Sequence, residues 1–235
     1  MRVTDLSVPL VEGENIVYPG NTYLKIHPII DYSNNLFLST NLEIWSHAGT
    51  HVDAPYHVVK DGPPIDKIDL DKLVREAVIL NLSGVASEDH PLSATDLERA
   101  EQTLREDGES TRPGDIVLLR TDWSQTRRPW TPEYRAHSPY LTPQAADWLV
   151  EKRPAAVGFD FPEERLTKLQ QSLEGRPSEH PLPIHYRLLG AGICLVEHLI
   201  NLGKVKATRF LFVAAPLRII GADGTPVRAL AVEFQ

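Results

Sequence analysis

The stretch Trp45-Ser-His-Ala-Gly-Thr-His-Val-Asp-Ala-Pro-Tyr-His57 decides how the rest of the chain reads. Between His47 and His57 lie three of the nine histidines and one carboxylate, Asp53. The spacing His47-x3-His51-x-Asp53-x3-His57 is a density of metal ligands. Imidazole nitrogens and a carboxylate oxygen suit a divalent transition metal such as zinc or manganese. Two histidines four apart usually mark one face of a helix. Here Gly49, the β-branched Thr50 and Val52, and Pro55 all oppose a helix. The stretch therefore reads as a tight, rigid loop leaving a strand and carrying His51 and Asp53. Gly49 lets the backbone take a positive φ or approach an ion closely. The competing reading is a purely structural loop, because a lone histidine is more often a surface or satisfied core residue than a ligand.

Upstream, Leu36, Leu38, Thr40, Leu42 and Ile44 share one parity, while Asn35, Ser39, Asn41 and Glu43 share the other. That is the period of a half-buried strand over Leu36 to Trp45. Val3 to Leu10 and Tyr23 to Ile30 read as earlier strands. Tyr18-Pro-Gly-Asn21 fits a type II turn. The chain thus opens β-rich and antiparallel.

Downstream the pattern changes. Asp69 to Arg75 reads as a helical turn. Ala77 to Leu82, Asp115 to Arg120 and Ala155 to Asp160 are short apolar runs of the kind that form buried strands. Between them lie two helix signals. Ser93 caps a helix to Leu104 with Asp96 in its first turn. Thr142 caps a second helix to Val150, with Pro143 at its first position. Strand and helix alternate, which implies parallel pairing through crossover helices. His185 to Leu189 reads as a short helix ended by Gly190 or Gly192. Ile193 to Leu199, Arg209 to Ala214 and Val227 to Phe234 read as strands. Glu106 to Pro113 and Ser124 to Tyr140 read as mobile insertions. The expectation is one α/β domain with a mixed sheet over residues 1–235.

Composition excludes several classes. The net charge of -8 argues against a generic nucleic-acid or anionic-membrane binder. The single cysteine, Cys194, rules out an intrachain disulfide and Cys-rich zinc sites, and its apolar neighbours suggest a buried, inert thiol. No signal-peptide core stands at the N-terminus, and no apolar run approaches the roughly 20 residues that span a bilayer. A cytoplasmic location is the default expectation.

A metal in a catalytic role often needs more ligands than one loop offers. Glu197 interrupts the apolar run Ile193-Cys-Leu-Val-Glu-His-Leu-Ile200. Buried and unpaired, it would cost several kcal/mol, which a nearby cation would relieve. It reads equally as a ligand or as a strand end facing solvent. His198, on the opposite parity, is the poorer candidate. His185 by itself is weaker than Glu197.

The run from His47 to His57 meets every fixed position of an HxGTHxDxPxH signature, and so resembles the metal-dependent cyclase-like hydrolases. That family includes bacterial kynurenine formamidases (arylformamidases) and isatin hydrolases. The resemblance extends to Tyr18-Pro-Gly-Asn21, Pro113 to Arg120, Gly158-Phe-Asp160 and His185 to Glu197. It implies a swivelling β/α/β fold and a homo-oligomer, commonly a dimer or tetramer. It implies that His47, His51 and Asp53 bind one metal. It also implies that a later His and Glu twelve residues apart, here His185 and Glu197, join Asp53 around a second. His57 falls at the proton-transfer position. The sequence departs from the family at Asn21, at Tyr18 and at Gly158-Phe-Asp-Phe-Pro-Glu-Glu164, positions expected from the resemblance to line the substrate pocket.

The activity implied is metal-assisted hydrolysis of a carbonyl C–N bond in a small, aromatic aryl formamide or cyclic amide. His57 relays the proton between water and the leaving nitrogen. Tyr18, Trp45 and Tyr56 are candidates for stacking on the substrate, against ordinary packing for each. No Gly-x-Ser-x-Gly elbow is present, so serine hydrolysis of that type drops out. Two rivals stand beside this reading: a lactonase or biosynthetic cyclase of the same fold, and a non-catalytic module that binds metal and sequesters a ligand.

Overall fold

A computed structural model describes residues 1–13, 24–33, 35–127, 129, 131–165 and 180–234. The Tyr18-Pro-Gly-Asn21 turn, the Tyr18 candidate and most of the loop before Pro183 lie outside the described residues. The strands are β1 (Arg2–Asp5), β2 (Leu24–Ile30), β3 (Ser39–Ile44), β4 (His51–Asp53), β5 (Val74–Asn81), β6 (Pro91–Leu92) and β7 (Ile116–Arg120). They continue with β8 (Tyr140–Leu141), β9 (Ala156–Phe159), β10 (Cys194–Glu197), β11 (Arg209–Val213), β12 (Gly224–Pro226) and β13 (Leu230–Glu233). The helices are α1 (Ala94–Glu106), α2 (Trp123–Thr126), α3 (Pro132–Ala136), α4 (Pro143–Lys152) and α5 (Pro183–Gly190).

Nine strands form one mixed sheet in the order β1-β13-β11-β5-β7-β9-β10-β4-β12. The centre, β5-β7-β9-β10, is parallel, and both flanks are antiparallel. The parallel strands are apolar on both parities because both faces are covered. Val78, Leu80, Val117, Leu119, Val157, Phe159 and Leu195 pack against α1, α4 and α5. The alternate residues Ala77, Ile116, Leu118, Ala156, Cys194 and Val196 pack with Leu6, Ile65, Leu73 and Leu202 on the other face. Cys194 is fully buried and burial pushes its thiol up to about 11, so it is inert. Among the described residues no helix is long and apolar enough to cross a membrane.

Three readings change. The strand expected over Leu36 to Trp45 is shorter, and with β2 it makes a separate two-stranded hairpin instead of a half-buried strand. Leu36, Phe37, Leu38 and Leu42 are all more than half exposed. Alternation records an apolar face but not what covers it. The segment carrying His51 and Asp53 is itself a strand, not a loop. It is inserted between β10 and β12, whose backbones supply the hydrogen bonds that the isolated sequence could not reveal. The insertion over Ser124 to Tyr140 is pinned rather than loose: it contains α3, and Tyr134 is fully buried. The Trp123 indole donates to the Tyr134 carbonyl at 2.7 Å.

Helix α1 begins where the capping signal placed it. The Ser93 hydroxyl accepts from the Asp96 backbone N–H at 3.3 Å, and the Asp96 carboxylate accepts from the Ser93 backbone N–H at 2.8 Å. Its buried face, Leu97, Ala100 and Leu104, then meets β5 and α4. Replacing Ser93 by Ala removes one half of this box. The expected loss is about 1 kcal/mol, read by calorimetry as a melting point lower by about 2–4 °C.

Candidate active site

The site is set by strand register. In the antiparallel ladder His51 faces Glu197, Val52 faces Val196 and Asp53 faces Leu195. Side chains alternate across a strand, so Val52 and Val196 enter the apolar layer away from the helices. His51, Asp53 and Glu197 therefore share the other face, which α5 covers with His185 in its first turn. All four are buried. They gather at the carboxyl end of the parallel strand β10, whose last residue is Glu197, near the usual location of sites in such sheets.

Local contacts hold the pieces in place. Gly49 takes φ +64°, as the tight bend requires. The Thr50 hydroxyl donates to the His198 carbonyl at 2.7 Å and accepts from Val8 N–H at 3.0 Å, which ties the bend to the exit of β10. Glu164 Oε1 accepts from the backbone N–H groups of Ile184 and His185 at 2.7 and 3.0 Å, at the start of α5. That carboxylate supplies the helix end with a partner that its own N-cap, Leu182, cannot provide.

Each histidine has a definable orientation. His51 Nδ1 lies 2.8 Å from the Gly49 carbonyl, which only accepts, so Nδ1 carries the proton. In a neutral ring the lone pair is then on Nε2, which faces Asp53 Oδ1 at 3.3 Å and Glu197 Oε2 at 3.9 Å. His185 repeats the pattern. Its Nδ1 faces Glu163 Oε1 at 2.9 Å and donates to Glu164 Oε1 at 3.3 Å, while Nε2 faces Glu197 Oε1 at 2.8 Å and Asp53 Oδ2 at 3.5 Å. Those last two oxygens are buried and, among the described residues, accept no well-aligned hydrogen bond, and the same holds for Glu163 Oε1. His47 lies between Asp53 Oδ1 at 2.7 Å and Asp223 Oδ2 at 2.8 Å.

The electrostatics state the same tension. Burial disfavours a charged ring, yet Asp53 and Asp223 push His47 up to about 10. Burial likewise opposes the charge on His185, and the Glu163 and Glu197 carboxylates still hold it well above its usual range. Burial raises Glu163 to about 8, and the nearby Glu197 charge adds to the rise. A site of this kind demands positive charge among its carboxylates. Nitrogen and oxygen donors that converge around buried carboxylate oxygens lacking an aligned hydrogen bond fit a divalent transition metal. Among the described residues, three groups have ligand atoms close enough to hold an ion: His47, Asp53 and His57; His51, Asp53 and Glu197; and Glu163, His185 and Glu197.

The sequence candidates His47, His51, Asp53, His57, His185 and Glu197 are thus gathered in one place. Trp45 meets the His47 ring edge-on at 5.1 Å, and Tyr56 is 44% exposed beside His57. His198 differs from its reading. Its φ of 56° breaks the strand alternation, and its Nε2 comes within 3.6 Å of Glu197 Oε2. Asp160 does not join the histidines; it accepts from Thr121 N–H at 2.8 Å and Asp122 N–H at 2.9 Å. Three members were missed. Glu163 and Glu164 appeared in the sequence only as a departure at the pocket, although two acids just after a buried strand were a usable signal. Asp223, in Gly221-Ala-Asp-Gly224, was not singled out at all.

Residues 4–163 match the family described as "Putative cyclase". The chain is 31% identical over 228 residues to a protein named isatin hydrolase from Roseibium aggregatum, covering 89% of this chain and 81% of that one. It is 29% identical over 231 residues to a protein named kynurenine formamidase from Bacillus cereus, covering 96% and 95%. A crystal structure of an isatin hydrolase bound to the product analogue thioisatinate matches it with a TM-score of 0.82 at 26% identity. That match covers 99% of this chain and 92% of that chain.

Gly224 lets β12 approach β4. A Cβ there would lie 2.7 Å from the Val52 carbonyl oxygen and 3.1 Å from His47 Cε1. The backbone contact cannot swing away. Gly224→Ala should therefore cost about 1–3 kcal/mol in denaturant unfolding. It should also lower the metal content of purified protein, because His47 and Asp53 are displaced with the strand.

Proposed function

The chain belongs to the cyclase family, and from that membership we propose that it is a metal-dependent hydrolase of carbonyl C–N bonds, acting on an aryl formamide or a cyclic amide. One observation carries the metal dependence: Asp53 Oδ2 and Glu197 Oε1 are buried, accept no well-aligned hydrogen bond among the described residues and face His185 Nε2. His47, His51 and Asp53 would hold one zinc or manganese ion, and His185 and Glu197 with Asp53 a second. When bound, such an ion supplies Lewis acidity toward a carbonyl oxygen and toward water.

The chain's own residues do the rest. His57 is the histidine of the group with access, its side chain 23% exposed and its ring 4.2 Å from that of His47. It takes a proton from the attacking water and gives it to the leaving nitrogen. Trp45 and Tyr56 border this side and provide aromatic surface for the acyl or lactam portion. The relatives named isatin hydrolase and kynurenine formamidase support C–N over C–O bonds, and so favour this reading over a lactonase. A proton carrier beside the ligands favours it over a storage module.

We propose further that the protein is a homodimer or homotetramer. The β2–β3 hairpin, a two-stranded sheet of its own, supports this, with Ile29, Leu36, Phe37, Leu38 and Leu42 exposed on it or just before it. Sedimentation of the purified protein should give two or four times the 26.3 kDa of the chain. A monomer at micromolar concentration would contradict it.

Activity is tested on N-formylkynurenine, isatin and a lactone panel after metal analysis. His57→Ala should keep its metal and lose about 100- to 10,000-fold in turnover. Asp53→Ala should lose both metal and turnover. A His57→Ala enzyme at the normal rate would refute the role given to His57.

A further inference from the structure

We propose that Asp223 is a positioning residue for His57: a single carboxylate oxygen fixes which ring nitrogen keeps its proton, and so which one is open to water. The inference rests on the hydrolase reading above, in which His57 carries the proton.

Asp223 Oδ2 lies 3.2 Å from His57 Nδ1 and 2.8 Å from His47 Nε2. A carboxylate oxygen accepts, so both nitrogens donate to it. In a neutral His57 the lone pair is then on Nε2 alone. Among the described residues this is the one hydrogen bond that the His57 ring makes. The ring sits at the end of a single 3-10 turn, Pro55–His57, beside the rings of His47 and His185, and such packing does not select which of its nitrogens keeps the proton. Without Asp223 the two tautomers and two ring orientations compete.

Asp223 is itself held firmly. Its backbone carbonyl accepts from Ala54 N–H at 2.9 Å, and the next residue, Gly224, pairs with Asp53 in the β12–β4 ladder. The pairing that places Asp53 therefore also aims the carboxylate at His57. The arrangement answers a second need. The His47 and His57 rings are 4.2 Å apart, and an anionic oxygen shared by their N–H groups lets two polar rings sit that close. The base and the neighbouring candidate ligand are thus oriented by one oxygen.

The test uses zinc-loaded enzyme with whichever of N-formylkynurenine or isatin it turns over. Asp223→Ala and Asp223→Glu are made in the wild-type and in the His57→Ala chain. Turnover, KM, zinc content and the 15N signals of the His57 imidazole are measured. Asp223→Ala should lower kcat about 10- to 100-fold with KM changed by less than about threefold. With zinc held at saturation, to offset the weaker hold on His47, the His57 signals should move from the Nδ1–H toward the Nε2–H tautomer. Asp223→Glu, which keeps the carboxylate, should regain most of the rate. In the His57→Ala chain, also at saturating zinc, Asp223→Ala should cost nothing more. The same loss in that background, or a His57 still in the Nδ1–H tautomer without Asp223, would overturn the inference. If the Ala variant does not fold, the tautomer and rate of Asp223→Glu decide: a wild-type tautomer supports the inference, and its loss at full rate overturns it. His57→Ala at the normal rate would sink the underlying reading and this inference with it, an outcome distinct from the others.

Discussion

Two carboxylates set the terms for this structure. Asp53 and Glu197 come from neighbouring strands, lie on the same face and are almost wholly removed from water. An isolated buried carboxylate costs several kcal/mol, and one left without partners costs more. The protein surrounds these two with imidazoles but not with enough N–H groups. His51 and His185 each spend their Nδ1 proton elsewhere, on Gly49 and Glu164. Their Nε2 atoms then face carboxylate oxygens. Lone pair against lone pair is repulsive, and the repulsion is relieved only by positive charge, whether proton or metal. A preference for a divalent ion thus follows from where the outer hydrogen bonds go, as much as from which residues are present.

The fold is what keeps those carboxylates together. Val52 separates His51 from Asp53 and packs with Val196 in the apolar layer. A slip of one residue in this ladder would put Val52 among the carboxylates and drive His51 and Asp53 into hydrocarbon. A strand of three residues has little register of its own. It is pinned on one side by Thr50, bonded to the exit of β10, and on the other by Gly224, which admits β12 closely. The parallel strands behind it are apolar on both faces, so the sheet offers no other place for polar side chains than its carboxyl end.

Much of this was legible in the chain. The apolar runs at 77–82, 115–120 and 155–160 could only be covered on both sides, and the caps at Ser93 and Thr142 marked the crossover helices between them. The density of histidines around Asp53 marked the site. Other features belong to pairing in space, which periodicity does not encode. Gly49 and Pro55 argued correctly against a helix at His51, but no local signal distinguishes a loop from a three-residue strand whose partners lie 140 residues or more away. The left-handed turn at His198 cancels the alternation that had turned its ring away. The hairpin's alternation was real, yet an exposed apolar face obeys the same rule as a buried one. Asp223 stayed hidden for a different reason: in Gly-Ala-Asp-Gly the acid is what any turn would carry.

The site also divides its labour by depth. His51, Asp53, His185 and Glu197 are under 10% exposed and held by helix ends, strand pairs and backbone carbonyls. Groups held this way cannot travel with a proton, but they can keep a fixed geometry for an ion. His57 and Asp223 lie at the rim, with side chains 23% and 38% exposed. A proton carrier has to exchange with both water and a leaving group, so it must stand where the packing ends. Rigidity is lost at that point, and a carboxylate anchored on the far strand restores orientation without closing access. The residues that would hold the ion and the residue that moves the proton thus answer opposite requirements, and the β4–β12 pairing is where the structure reconciles them.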